Sequence, residues 1–318
     1  MFRAKRHELC HRKVSCTCMG GLRLVIPVST DSLSPGVEMI SADVNNVESL
    51  KAAVFGCYGV FGVTNYWDRD VLDKAKEEQQ GTNIFEACKS QGVTHLVWSA
   101  LPYAAQLTGG RLQHVSHFDF KAIVAEKIEN MKGQMICSYY MPGEQTLTTK
   151  SAGTNYLLTA MYIDALKGFM RVIDGELCLM MPYGKTNKFM WPLTHARTDG
   201  GKYIMGLFEA ASAADGMQVH AVSCWATVDE VLRALSIACA RDVIFKEVTV
   251  EAHQALFPEI TALDMTQTML LVGNYSYYGP GEEQKQAAHD RWMVQGSHRS
   301  SLEAIVQAAA PWSFGQAS

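Results

Sequence analysis

Apolar and polar positions follow two rhythms along most of this 318-residue chain. From Gly21 onward, short runs of branched and aromatic residues give way to loops, and then to segments with a helical period. The runs at 22–28, 37–41, 59–63, 95–99 and 135–140 predict strands. Between them, 45–54, 71–90 and 117–131 predict helices. Asn45 and Glu48 open the first helix in capping-box form, and Ile123, Val124, Ile128 and Met131 line one side of the third. Gly92 and Gly133 end the second and third helices.

Strands alternating with helices imply βαβ units, hence an α/β, Rossmann-type doubly wound parallel sheet. The alternation fades past residue 145, although Thr227 with Glu230 predicts another capped helix to residue 240, followed by a strand at 243–248. Three segments are therefore expected. Residues 1–21 form an atypical basic, cysteine-rich arm, 22–145 the Rossmann-like part, and 146–318 a smaller mixed region over the ligand face. Ligands of such sheets sit at the carboxyl ends of the strands. Here those ends are Val28, Asp43, Thr64 to Tyr66, Ser99, and residues 140–143.

Composition narrows the class. Hydrophobic residues at 48% and charged residues at 19% exclude a disordered chain. No apolar run approaches the ~18 residues of a membrane span, which predicts a soluble protein of the cytoplasm. Lys plus Arg is 28 against 32 Asp plus Glu, a net −4 that gives no electrostatic reason to bind nucleic acid directly. The nine cysteines are odd in number and scattered singly from Cys57 onward, the usage of reduced thiols. Cys10, His11, Cys16 and Cys18 crowd together but lack a CxxC pair, and no second cluster follows, so no metal site is predicted. Arg3, Lys5, Arg6, Arg12 and Lys13 stand against one acid, Glu8, which predicts a solvated arm outside the core. With no apolar h-region, it is not a secretory signal.

Six motifs in order then carry a resemblance. They are Val63-Thr64-Asn65-Tyr66-Trp67; Leu107-Thr108-Gly109-Gly110-Arg111-Leu112; His117-Phe118-Asp119-Phe120-Lys121; Met141-Pro142-Gly143; the run 269–273 with Tyr277-Tyr278-Gly279; and Ser301-Leu302-Glu303 leading to Pro311-Trp312. Together they resemble the NmrA-like family, an atypical branch of the short-chain dehydrogenases and reductases. The resemblance implies a Rossmann domain binding NADP(H). On that reading Asp43 and Val44 lie near the adenine, and Thr64, Asn65 and Tyr66 line the cofactor. Lys121 holds the nicotinamide ribose, while Glu144, Gln145, Thr146 and Leu147 close over the nicotinamide. A carboxylate suits an adenine amino group and an ammonium suits ribose hydroxyls. Taken alone, Asp43 is equally turn chemistry and Lys121 a solvated helix lysine.

The chain departs from the family pattern in three places. No GxxGxxG loop exists to present backbone N–H groups to a pyrophosphate, so the first βα unit is missing or degenerate. Pro27 and Val28 stand where NADP-preferring members carry arginine, which leaves NAD open as cofactor. The tyrosine of the usual Tyr-x-x-x-Lys pair is His117, one turn before Lys121, and a neighbouring ammonium would favour its neutral form. Tyr103 on the adjoining loop is the alternative acid. The candidate catalytic set is therefore His117, Lys121 and Tyr103.

The resemblance implies an oxidoreductase acting on a small molecule, in fungi a tailoring step of secondary metabolism. Two alternatives stand beside it. One is a non-catalytic NADP(H) sensor with a protein partner and a nuclear location, and the other is a truncated, inactive product. Oligomeric state is not legible in the residues.

Overall fold

The computed structural model describes residues 2–5, 14–16, 40, 42–67, 74–142 and 161–314. They belong to two units, interleaved along the chain. The first gathers Met1–Ala100, Phe120–Tyr140 and Ile204–Val219, and the second Leu101–Asp119, Met141–Tyr203 and His220–Ser318.

The first unit is built on a six-stranded sheet. Numbered in chain order, its strands are β1 (Phe2–Lys5), β2 (Val14–Cys16), β3 (Cys57–Gly62), β4 (His95–Ser99), β5 (Ile136–Pro142) and β9 (Gln218–Ala221), arranged β2-β1-β3-β4-β5-β9. β3, β4 and β5 are parallel, with Val60 opposite Leu96 and Leu96 opposite Cys137. Every residue of β4 is buried, which is why its centre, Leu96 to Trp98, reads as an apolar run rather than an alternation. The helices α1 (Val47–Val54), α2 (Lys74–Ser90), the short α3 (Ala104–Leu107) and α4 (Ser116–Met131) lie between these strands in sequence, as the βαβ reading requires. Leu50, Phe61, Ile84, Phe85 and Trp98 form its fully buried centre. At Gly81 of α2 a Cβ would meet Val124 Cγ1 of α4 at 2.7 Å, so glycine sets how closely those helices approach.

Two expectations change here. The start is not a solvated arm throughout, because the backbone of β1 pairs antiparallel with β3 and with β2. The sheet is thus mixed at this edge, where a doubly wound order would continue in parallel. The cap of α1 is Asn46 rather than Asn45: its side chain accepts from the Ser49 amide at 3.1 Å. Asn45 is instead held between Asp43 and Gln80. The strands expected at 22–28 and 37–41 lie outside the described residues.

The second unit contains smaller sheets. β6 (Met170–Ile173) and β7 (Glu176–Met181) form a hairpin across Asp174 and Gly175, at φ 51° and 82°. Asp-Gly in that double left-handed conformation matches the strand twist. β11 (Val243–Glu247) adds to β7 in parallel, and β8 (Trp191–Leu193) pairs antiparallel with β10 (Cys224–Ala226). The remaining helices are α5 (Gly201–Ala210), α6 (Val228–Cys239), α7 (Val250–Gln254), α8 (Glu259–Tyr275), α9 (Gln286–Asp290) and α10 (Leu302–Ala308). The expected capping box opens α6, with both halves formed between Thr227 and Glu230. Gly273 of α8 lies against the Tyr183 ring, 2.5 Å from where its Cβ would stand. Among the described residues, Cys57, Cys88, Cys137 and Cys178 are buried free thiols, and no helix is long and apolar enough to cross a membrane.

Candidate functional site

In the first unit, β3 ends at Gly62 and the chain turns at Thr64. Thr64 is buried, and its hydroxyl donates to Glu77 Oε1 at 2.7 Å. Lys121 Nζ donates to the Thr64 carbonyl at 2.8 Å, to Thr64 Oγ1 at 2.8 Å and to Glu77 Oε1 at 2.7 Å. Lys121 is 2% exposed and Glu77 0%. An ammonium has three protons, and all three are taken. Burying both charges costs desolvation, which the attraction and these short bonds must offset. The Lys121 carbonyl accepts from the Trp98 indole at 3.2 Å, fixing the helix turn that carries the lysine. Tyr66 packs edge-on against Trp67, with ring centres 5.0 Å apart.

The segment before α1 is pinned in the same manner. The exposed Asp43 accepts from the Asn45 amide at 2.9 Å, closing an Asx turn. Buried Asn83 of α2 donates to the Val44 carbonyl at 2.9 Å, and Gln80 donates to Asn45 at 3.0 Å. One polar face of α2 therefore holds both Val44 and Thr64 in place.

The second unit contains the first turn of α4. His117 is fully buried, and its Nδ1 lies 2.5 Å from Asp264 Oδ1 of α8. The other Asp264 oxygen accepts from the Ser116 amide at 2.9 Å, and Gln267 accepts from the His114 amide at 2.8 Å. Asp264 thus caps α4 from a distant helix while it orients the imidazole. The group facing His117 is a carboxylate. The Lys121 ammonium is instead held by Glu77 and Thr64. Asp119 accepts from the Ala105 amide at 3.2 Å, at the start of α3, where the half-buried Tyr103 is the N-cap residue. Burial chiefly pushes the Asp119 carboxyl up to about 6.

The expected residues therefore fall into two groups. Asp43, Val44, Thr64, Asn65, Tyr66 and Lys121 belong to the first unit, and His117 and Tyr103 to the second. Glu144, Gln145, Thr146 and Leu147 lie outside the described residues. Sequence reasoning missed Glu77 and Asp264. Glu77 is one of several charges opening α2, a pattern that reads as a solvated face, and Asp264 is a lone acid in an apolar helix. It also missed a second cluster, in which His220 stacks between Tyr278 and His289 at 4.0 and 4.1 Å. Glu282 Oε2 lies 3.6 Å from His220 Nδ1, and burial pushes the His220 ring down to about 3. The two rings lie within 25° of parallel, so their in-plane lone pairs do not converge on one ion. A cavity of about 480 Å³ in the second unit is lined by Met190, Cys224, Trp225, Glu283, Gln286 and Arg299. None of the expected residues lines it.

Parallel strands flanked by helices, with polar chemistry gathered at their carboxyl ends, define a Rossmann-type α/β protein. Residues 28–305 match the profile of the NmrA-like family, and the chain belongs to that family. It is 27% identical over 215 residues to the NmrA-like family domain-containing oxidoreductase FrzB of Cladobotryum sp., covering 64% of this chain and 60% of that protein. It is 24% identical over 279 residues to the similarly described hkm9 of Aspergillus hancockii, covering 82% and 77%. Among solved structures it is similar to NmrA, a negative transcriptional regulator, in complex with NADP. That match has a TM-score of 0.63 and 15% identity, over 92% of this chain and 82% of the other. It is also similar to a Citrobacter sp. triphenylmethane reductase complexed with NADP(H), at TM-score 0.57 and 15% identity, over 86% and 84%. At such identities the structures establish the fold alone.

Proposed function

We propose that the chain is an NADP(H)-dependent oxidoreductase acting on a small molecule, in a tailoring step of fungal secondary metabolism. The observation that carries this reading is the buried Lys121–Glu77–Thr64 array. It fixes a strand-end turn in the place where sheets of this kind bind dinucleotides. Asp43 and Val44 fit the adenine end, because the first offers an exposed carboxylate and the second a pinned backbone. Thr64, Asn65 and Tyr66, with Glu144, Gln145, Thr146 and Leu147, would complete the lining. The chain lacks a GxxGxxG cradle, so affinity rests on these strand ends. When bound, the nicotinamide supplies or takes up the hydride. Tyr103, half-buried on its loop, serves as proton donor, while Asp119 holds that loop and Asp264 holds His117. The cytoplasm is the compartment this reading favours.

A second reading has its own observation. His117 and Lys121 are both sealed, at 0% and 2% exposure. That favours a dinucleotide sensor with a protein partner, working without turnover and in the nucleus if it regulates transcription. Fluorescence titration with NADPH and NADH, followed by turnover against a panel of carbonyl compounds, separates the two. Turnover that falls at least tenfold in Tyr103→Phe supports the enzyme. Binding without turnover supports the sensor, and absence of binding sinks both.

A further inference from the structure

Lys121 draws attention as the motif lysine, yet the geometry around it is set by a different side chain. Glu77 Oε1 receives two bonds at once, from the Thr64 hydroxyl and from the Lys121 ammonium, each at 2.7 Å. The same ammonium holds both the carbonyl and the hydroxyl of Thr64. The three side chains form a closed ring whose only negative charge is Glu77. Glu77 lies in the first turn of α2, where the helix dipole favours an acid, and it is fully buried. Its second oxygen, Oε2, is buried with no hydrogen-bond partner among the described residues. A buried carboxylate oxygen left in that state is expensive unless position matters more than solvation.

We propose that Glu77 is a positioning residue of the dinucleotide site, setting the backbone of Thr64, Asn65 and Tyr66 through Lys121 and the Thr64 hydroxyl. This rests on the reading that the chain binds NADP(H). Without the carboxylate, the ammonium keeps only neutral acceptors in a water-free site, and the Thr64 hydroxyl loses its acceptor. The turn is then free to change shape, and groups meant for the dinucleotide move. Such a residue acts on ground-state binding, so its loss weakens affinity and leaves saturated turnover largely intact.

The experiment measures NADPH dissociation constants by fluorescence, well below the unfolding temperature, for wild type, Glu77→Gln, Thr64→Val and Glu78→Gln. Glu77→Gln keeps the size of the side chain and removes its charge. Its expected dissociation constant is at least tenfold weaker. Thr64→Val removes one corner of the ring while leaving the ion pair, and is expected to weaken binding about threefold. It serves as the second probe if Glu77→Gln does not fold. Glu78→Gln removes a neighbouring charge paired with exposed Lys127, and is expected to bind as wild type does. A purely structural Glu77 would lower the thermal midpoint yet leave the dissociation constants of Glu77→Gln and Thr64→Val within twofold of wild type. That result overturns the proposal while wild-type binding still supports the function. Wild type that binds neither NADPH nor NADH overturns both, and so distinguishes the two failures.

Discussion

Two buried pairs begin on adjacent turns of α4, and they solve different problems. Lys121, in the first unit, closes a ring in which each donor meets an acceptor from a strand end or a neighbouring helix. His117, in the second, meets a carboxylate that also serves backbone amides at the start of its own helix. The first pair shapes a loop at the end of β3, whereas the second anchors a helix end. A buried ion pair resists loss of either member, because the survivor is left charged and dry. The second pair is less exacting, since Asp264 keeps the Ser116 amide as a donor when the imidazole is lost. The comparison therefore predicts a large, non-additive cost at Lys121 and a smaller, more nearly additive one at His117.

The largest effect follows directly. Lys121→Met leaves Glu77 buried without its counter-charge, and the expected loss is about 3–5 kcal/mol. Adding Glu77→Leu removes the stranded charge, so the double variant should regain more than half of it. Urea unfolding of the two single variants and the double measures this. Losses that simply add would show that the pair is not coupled. Asp264→Ala comes next. It removes the acceptor of His117 and a cap of α4, for about 2–3 kcal/mol, by the worth of a charge-assisted bond together with a cap. An undisturbed midpoint in Asp264→Ala would mean that the second pair anchors nothing. Gly81→Ala tests the packing of α2 against α4 in the first unit. Its new Cβ would stand 2.7 Å from Val124, and overpacking of that kind costs about 1–3 kcal/mol. Thermal denaturation reads that cost, and a rise in midpoint would show that α2 and α4 yield without strain.

The contrast also marks what could be read in advance. β4 was legible because its centre, Leu96, Val97 and Trp98, is a continuous apolar run inside a fully buried strand, and α6 because Thr227 and Glu230 carry their cap within one turn. Such signals are local. The partners of His117 and Lys121 lie 147 and 44 residues away, in segments whose own pattern says only "helix". No periodicity distinguishes the Glu77 that is buried from the Glu78 beside it, which is not. The cap of α1 was misplaced by one residue for a related reason. Asn45 has the right chemistry for a cap, but a local bond to Asp43 and a tertiary one from Gln80 claim it first. The hairpin at Asp174-Gly175 carries a strong two-residue turn signal in a stretch where the α/β rhythm has faded.

Asp119 gives the smallest effect and the finest test of the difference between the units. It stands two residues from each pair, and the backbone amides at the start of α3, at Ala104 and Ala105, are its donors. Burial pushes its carboxyl from 3.8 up to about 6. A folded-state value above the unfolded one means the folded protein holds the proton more tightly. Relative stability from this group is therefore full below about pH 4 and is lost as pH rises through 6. Asparagine keeps the acceptor oxygen and carries no charge, so Asp119→Asn should be more stable than wild type at pH 7.5. The gain is under about 1 kcal/mol once solvent screening is allowed for. At pH 3.5 the two proteins should unfold together, because both side chains are then neutral. Thermal midpoints across that range decide the matter. A variant less stable than wild type at pH 7.5 would show that the Asp119 charge is an asset.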